Sequence, residues 1–144
     1  MINVKDILEK KGRAFWSVTP ENTVFEALEL MAEHNIGSVL VMENSKLVGI
    51  FSERDYARKI ILQGYNSRSA HVGNFMTCQI LTVTPDSNIN ECMAIMTEKK
   101  IRHLPVLEND TVVGLISIGD VVNAVIQSQD YTIKHLESYI YGGR

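Results

Sequence analysis

The chain has 144 residues, 14 Lys plus Arg against 17 Asp plus Glu, and a formal net charge of -3. That length suits one domain burying roughly 70% of its unfolded surface without staples, and the acidic balance argues against a nucleic-acid partner, which needs a basic face. Cys78 and Cys92 form no C-x-x-C, no His spacing suggests a metal site, MINVKDILEK lacks the apolar stretch of a leader, and no apolar run is of membrane-spanning length; the expectation is a soluble, cytoplasmic protein with reduced thiols and no membrane or metal partner.

In chain order, Val18-Thr19-Pro20 reads as a short strand leading into a helix. Thr23 stands three residues before Glu26, the spacing of a capping box, and Val24, Ala27, Leu28 and Met31 make a core-facing stripe. Two β-rich runs follow, Ser38 to Met42 and Leu47 to Phe51, separated by Glu43-Asn44-Ser45-Lys46, which predicts a hairpin. A second helix is expected from about Ser52 to Gln63.

The same sequence of elements then recurs 65 residues on. Val83-Thr84-Pro85 answers Val18-Thr19-Pro20, Asn88 and Glu91 answer Thr23 and Glu26, and Ile89, Cys92, Met93 and Met96 repeat the stripe. A hairpin from Leu104 to Leu107 and Val112 to Ile116, around Asn109-Asp110, precedes a helix from about Ser117 to Gln127. The register holds without a gap from about residue 18 to 60, so the chain is a duplication. Repeat 1 is expected at about 14–64 and repeat 2 at about 72–128. Ile133, Leu136 and Ile140, in the tail from Tyr131 to Tyr141, fall at helical spacing and predict a C-terminal helix over about 129–141 with more apolar area than a solvated terminus needs.

Each hairpin closes on one pattern, GIFSERD at 49–55 and GLISIGD at 114–120. The pairs Ser52 with Asp55 and Ser117 with Asp120 have S-x-x-D spacing, which is by itself a helix-capping device. The same geometry offers a ligand a helix N-terminus, a hydroxyl and a carboxylate: the first two suit an anion, and the third suits the adjacent hydroxyls of a ribose.

The ordered set of Val-Thr-Pro strands, the Ile101-Arg102-His103-Leu104-Pro105-Val106 strand and the two G-h-h-S-x-x-D turns resembles a tandem pair of cystathionine β-synthase (CBS) domains over nearly the whole chain. FSERDYARKI is further similar to a stand-alone subgroup made of little except the pair. The resemblance implies a mixed α/β fold of α+β sandwich type, two β-α-β-β-α repeats related by a pseudo-twofold axis, with ligand clefts that borrow from both. It also tips the S-x-x-D turns from capping to ligand binding. Ser52, Arg54 and Asp55 would line one site, completed by Ile101 and Arg102, with His103 a polar partner or phosphate contact; Ser117 and Asp120 would line the other, completed by Ile36 and Gly37. The implied ligand is an adenine nucleotide, AMP, ATP or NAD(H), with no cofactor required, and the implied assembly is a homodimer that passes ligand state to a regulated protein of unknown identity. A structural or protein-interaction dimer with vestigial nucleotide sites is the alternative.

The repeats are not equivalent. Arg54 answers to Gly119, Glu53 to Ile118 and Arg102 to Gly37, so one site has guanidiniums suited to phosphate and the two should differ in affinity or ligand. Lys10-Lys11-Gly12-Arg13 reads as a solvated turn that could approach the second repeat's nucleotide. Trp16 and Phe15 read as packing residues, with base stacking the sharper possibility. Both cysteines are expected buried, Cys78 in a linker strand from Met76 to Ile80. The absence of G-x-x-x-x-G-K-[ST], of G-x-G-x-x-G and of a Ser, His and acid set predicts no catalysis and leaves an NAD-using enzyme a distant third reading.

Overall fold

The computed structural model describes residues 2–140, the side chains of 130–132 and 138–140 excepted. Its elements are α1 (Val4–Lys11), β1 (Ser17–Val18), α2 (Val24–His34), β2 (Ser38–Glu43), β3 (Lys46–Ser52), the short α3 (Glu53–Asp55), α4 (Ile89–Lys99), β4 (His103–Glu108), β5 (Thr111–Ser117) and α5 (Ile118–Ile140). This is the mixed α/β fold expected. Among the described residues the chain divides into two compact units. A first-repeat unit takes Ala14–Leu81 with Asn109–Val112; a second-repeat unit takes the segment ending at Arg13, Thr82–Glu108, and the chain from Val113 on.

In the first-repeat unit β1 runs parallel to β2, and β2 pairs antiparallel with β3 from Ser38↔Ser52 to Glu43↔Lys46. Asn44 and Ser45 both take positive φ, as a two-residue type I′ turn requires, and Asn109 and Asp110 do the same in the second hairpin. Thr23 and Glu26 form the complete capping box, each side chain bonding the other's backbone N–H. Val24, Ala27 and Met31 of α2 are buried with Val39, Val41 and Phe51 of the sheet. In the second-repeat unit Asn88 caps α4 through the Glu91 N–H, and Ile89, Cys92 and Met96 are buried with Leu104, Val106 and Ile116. The first strand of this repeat shrinks to a parallel bridge, Val83↔Val106.

The segments that precede the repeats complete these units in exchanged order. Helix α1, ahead of repeat 1, packs into the second-repeat unit: Val4 and Lys5 N–H donate to Ser87 O and Pro85 O, both at 2.8 Å. The linker ahead of repeat 2 packs into the first-repeat unit: Val72 and Gly73 N–H donate to Asn22 O at 2.9 Å and Pro20 O at 2.8 Å. The acceptors obey the 65-residue repeat, whereas the donors lie 68 apart, so these lead-in segments are duplicated too, three residues out of register. They account for the glycine that opens each motif. A Cβ on Gly114 would come within 2.7 Å of Leu8 Cδ2, and one on Gly49 would collide with Met76.

Two further features depart from the sequence expectations. The helix after Asp55 is π-helical from Tyr56 to Ile61, whereas the corresponding stretch of the second repeat continues as α5 without a break through residue 140, joining the two segments expected there. Cys92 is buried as expected and burial pushes its thiol up to about 11, but Cys78 is exposed. The Met76–Ile80 stretch forms only an isolated bridge at Ile50↔Thr77 in place of a strand, so nothing obliges Cys78 to enter the core.

Candidate functional site

Both S-x-x-D turns form complete capping geometry. Ser52 N–H donates to Asp55 Oδ2 at 3.0 Å and Asp55 N–H to Ser52 Oγ at 3.1 Å; Ser117 N–H donates to Asp120 Oδ2 at 2.8 Å and Asp120 N–H to Ser117 Oγ at 3.2 Å. The first N–H of each helix is engaged as well, Glu53 with Gly37 O at 3.0 Å and Ile118 with Arg102 O at 2.8 Å. Spacing read as a cap is therefore a cap.

The carboxylates also have cationic partners, and these differ. Asp55 Oδ1 accepts the Thr77 hydroxyl at 3.2 Å and pairs with Lys59 Nζ at 3.2 Å; the same ammonium donates to Phe75 O at 2.9 Å. Lys59 lies one helical turn beyond Asp55, and its counterpart in the second repeat is the buried Ala124. Asp120 Oδ2 pairs with Lys11 Nζ at 2.7 Å, across 109 residues of sequence. Burial works to raise the Asp120 carboxyl, but the Lys11 hydrogen bond and then the Ser117 N–H outweigh it and hold it below its ordinary 3.8.

The structure thus places Ser52, Arg54, Asp55, Ile36 and Gly37 in the first-repeat unit, and Ser117, Asp120, Ile101, Arg102 and His103 in the second. Gly37 and Arg102 contribute backbone carbonyls to the motif turn of their own unit. Arg54 and Arg102 are exposed. Trp16 stacks on His34, with centroids 3.5 Å apart and planes 8° from parallel, so that face of the indole is already covered. An open cavity of about 420 Å³ in the first-repeat unit, lined by Glu21, Glu43, Val48 and His71 among others, includes none of these residues. Among the described residues no group of three or more His, Cys, Asp or Glu could hold a metal ion.

Sequence reasoning missed Lys11 as an ion-pair partner and Thr77, for which no local signal exists, Lys59, whose i,i+4 spacing from Asp55 was a signal, and Ser38. The last is directly across the ladder from Ser52, is buried, and its hydroxyl has no protein partner among the described residues. Such an orphan costs about 1–3 kcal/mol.

Ser38 corresponds to His103, which is half-buried beside Asp120. Burial first, then the Lys11 charge, holds His103 below its ordinary 6.5, against the opposing pull of Asp120. A depressed histidine means that the unfolded chain takes up the proton first, so stability is lost as pH falls below 6.5. Thermal melting of wild type between about pH 7.5 and 5.5 should fall more than that of His103→Ser, which carries the residue of the other repeat; equal slopes would show that His103 is not held neutral by the fold.

The CBS domain model matches residues 4–62 and 72–127, most of the chain. The chain is 39% identical to the CBS domain-containing protein CBSX3, mitochondrial, of Arabidopsis thaliana, over 97% of this chain and 72% of that protein. It superposes on a protein with CBS domains from Burkholderia ambifaria MC40-6 with a TM-score of 0.86 and 45% identity, covering 89% of this chain and 96% of that one. The CBS domain pair of protein MJ0100, solved in complex with 5-methylthioadenosine and S-adenosyl-L-methionine, is similar in fold, with a TM-score of 0.75 and 23% identity over 86% of this chain and 99% of that one. With its motif turns, hairpins and lead-in segments duplicated as described, this chain belongs to the CBS-domain family as a tandem CBS pair.

Proposed function

We propose that this CBS pair is a non-catalytic regulatory module that binds an adenosine-containing ligand, AMP, ATP or NAD(H), at its S-x-x-D turns and passes the ligand state to a partner protein. The observation that carries the reading is the repeated turn itself, in which a carboxylate, a hydroxyl and the start of a helix converge twice in a chain of this family. The orphan hydroxyl of Ser38 across from Ser52 supports it, since a buried donor without a protein partner suits a polar ligand. The adenosyl ligands of the MJ0100 pair set the chemical class to try first. A cytoplasmic location belongs to the same proposal; among the described residues no helix is long and apolar enough to cross a membrane.

The capping geometry favours the second reading, an interaction module whose turns are only caps. A thermal-shift panel of AMP, ADP, ATP, NAD, NADH and S-adenosylmethionine decides between them. A ligand that binds only the folded state adds RT ln(1 + [L]/Kd), about 2.7 kcal/mol at a hundredfold excess over Kd. A shift with at least one member is expected, and none with any would leave the interaction module standing.

Homodimerisation is the second part of the proposal. Helix α5 exposes Val122, Ile126, Ile133 and Leu136, whose steps of four, seven and three place them in one heptad stripe. Ile140 was expected to extend it but its side chain is not among those described, and Tyr141 lies outside the described residues. Light scattering at tens of micromolar, an order-of-magnitude concentration for an interface of standard size, should give twice the 16.2 kDa chain mass. Ile126→Lys with Ile133→Lys should return it to one chain mass; a wild-type monomer would refute the dimer.

A further inference from the structure

The two motif carboxylates are closed by different means. In the first-repeat unit the linker runs beside β3, and a two-way backbone bridge, Thr77 N–H to Ile50 O at 2.9 Å and Ile50 N–H to Thr77 O at 3.0 Å, fixes the hydroxyl that bonds Asp55. In the second-repeat unit the lead-in remains helical to Lys11, and among the described residues no peptide group takes that role. The carbonyl equivalent to Ile50 O, Leu115 O, instead accepts Lys11 Nζ at 2.9 Å, and the same ammonium bonds Asp120 at 2.7 Å.

At that carbonyl a side chain does in one unit what backbone does in the other, and there the same side chain also holds the carboxylate. To open Asp55 to a ligand, two side chains must yield: the hydroxyl of Thr77, a residue fixed by the backbone bridge, and a Lys59 ammonium anchored on Phe75 O. To open Asp120, one lysine side chain must turn. That side chain is 35% exposed and sits on the last turn of an eight-residue helix, just before Gly12 at φ 96. Its flexible stem and three donors let the ammonium change partners without moving the helix.

A ribose that donates its two adjacent hydroxyls to the two oxygens of Asp120 competes with Lys11 for Oδ2. A neutral riboside gives the displaced ammonium nothing in return, whereas a phosphorylated one gives it an anion. We propose that Lys11 determines specificity at the Asp120 turn: its ammonium occupies the carboxylate in the unliganded chain and transfers to the phosphate of a nucleoside monophosphate, so that phosphorylated ribosides are selected over neutral ones. This rests on the nucleotide reading above.

The test is calorimetry with AMP and adenosine on wild type, Lys11→Met and Lys11→Arg, the binding event lost in Asp120→Asn identifying the site. Wild type should prefer AMP. In Lys11→Met the ratio of the two dissociation constants should fall by about tenfold, the order expected for one hydrogen bond to a charged group, with adenosine tightening and AMP weakening. Lys11→Arg should keep the preference. A ratio unchanged in Lys11→Met, or equal weakening of both ligands, overturns the role of Lys11 while leaving the nucleotide reading intact; no binding of either ligand to any variant overturns both. The ion pair is also read without ligand: by carbon-detected NMR the Asp120 carboxyl should titrate higher in Lys11→Met and remain low in Lys11→Arg, and a titration unmoved by Lys11→Met would overturn the proposal even in a variant that folds normally.

Discussion

Leu8→Ala should lower the unfolding free energy by about 2–5 kcal/mol, the range for deleting a buried Leu side chain into a core that relaxes only in part. Leu8 is 1% exposed and belongs to the same buried cluster as Leu104, Val106 and Ile116. It also fills the space left open by Gly114, which explains why the motif opens on a residue with no side chain. Urea denaturation should show the loss as a lower midpoint with unchanged slope. Leu62→Ala is the control, since Leu62 is 76% exposed and its loss should stay within about 0.5 kcal/mol. If Leu8→Ala behaved like the control, α1 would not be part of the second-repeat core.

The second large effect separates cap from ligand contact. In Asp120→Asn the side-chain carbonyl can still accept the Ser117 N–H, so capping survives and stability should change by less than about 1 kcal/mol. Affinity for an adenine nucleotide should nevertheless fall about ten- to a hundredfold, because the charged acceptor of the ribose is gone. Asp55→Asn should behave differently. There Oδ2 accepts Ser52 N–H and its hydroxyl while Oδ1 accepts Thr77 and Lys59, so one arm of an amide must face donors with an NH₂ group. That substitution should cost about 1–3 kcal/mol of stability in addition to any loss of binding. Chemical denaturation paired with calorimetry on both variants checks this, and an Asp120→Asn protein that loses stability but binds normally would make the turn a cap alone. The lowered Asp120 carboxyl adds a sign: its contribution to stability is present above 3.8 and is lost as pH falls through its folded value, so acid melts of wild type and Asp120→Asn should converge below that window.

Much of the architecture was legible because it is local. The helix caps need only residues three apart, the core stripes only a 3.6-residue period, and the hairpins only β-rich runs around Asn-Ser and Asn-Asp, and each formed at its place within a residue or two, although the box is complete at Thr23 and one-sided at Asn88, where Glu91 bonds the Asn88 side chain and not its backbone. Lys59, four residues after Asp55, was within reach of the same local reading, but the distant partners of the motif carboxylates, Lys11 and Thr77, were not legible. Lys11 and Asp120 are separated by 109 residues, and the segment that brings Lys11 to its place departs from the 65-residue register by three, so a gapless comparison passes over it. The π-helical turn after Asp55 was hidden as well. Tyr56 and Ile60 are four apart where Val121 and Ala124 are three apart, a shift of one residue that only the packed helix reveals.

By itself, then, the amino-acid sequence determined that this chain is a duplication, that each copy is a helix and a hairpin closed by a capped helix, and that Ser52, Asp55, Ser117 and Asp120 occupy equivalent turns; period and short-range spacing suffice for all of these. Only the tertiary structure decided which lead-in segment completes which unit, that Gly49 and Gly114 make room for Met76 and Leu8, and that Asp55 is closed by the Thr77 hydroxyl together with Lys59 and Asp120 by Lys11. Those outcomes depend on which distant groups the packed chain brings within hydrogen-bond reach, and a bond of 2.7 Å between residues 11 and 120 leaves no trace in the spacing of either.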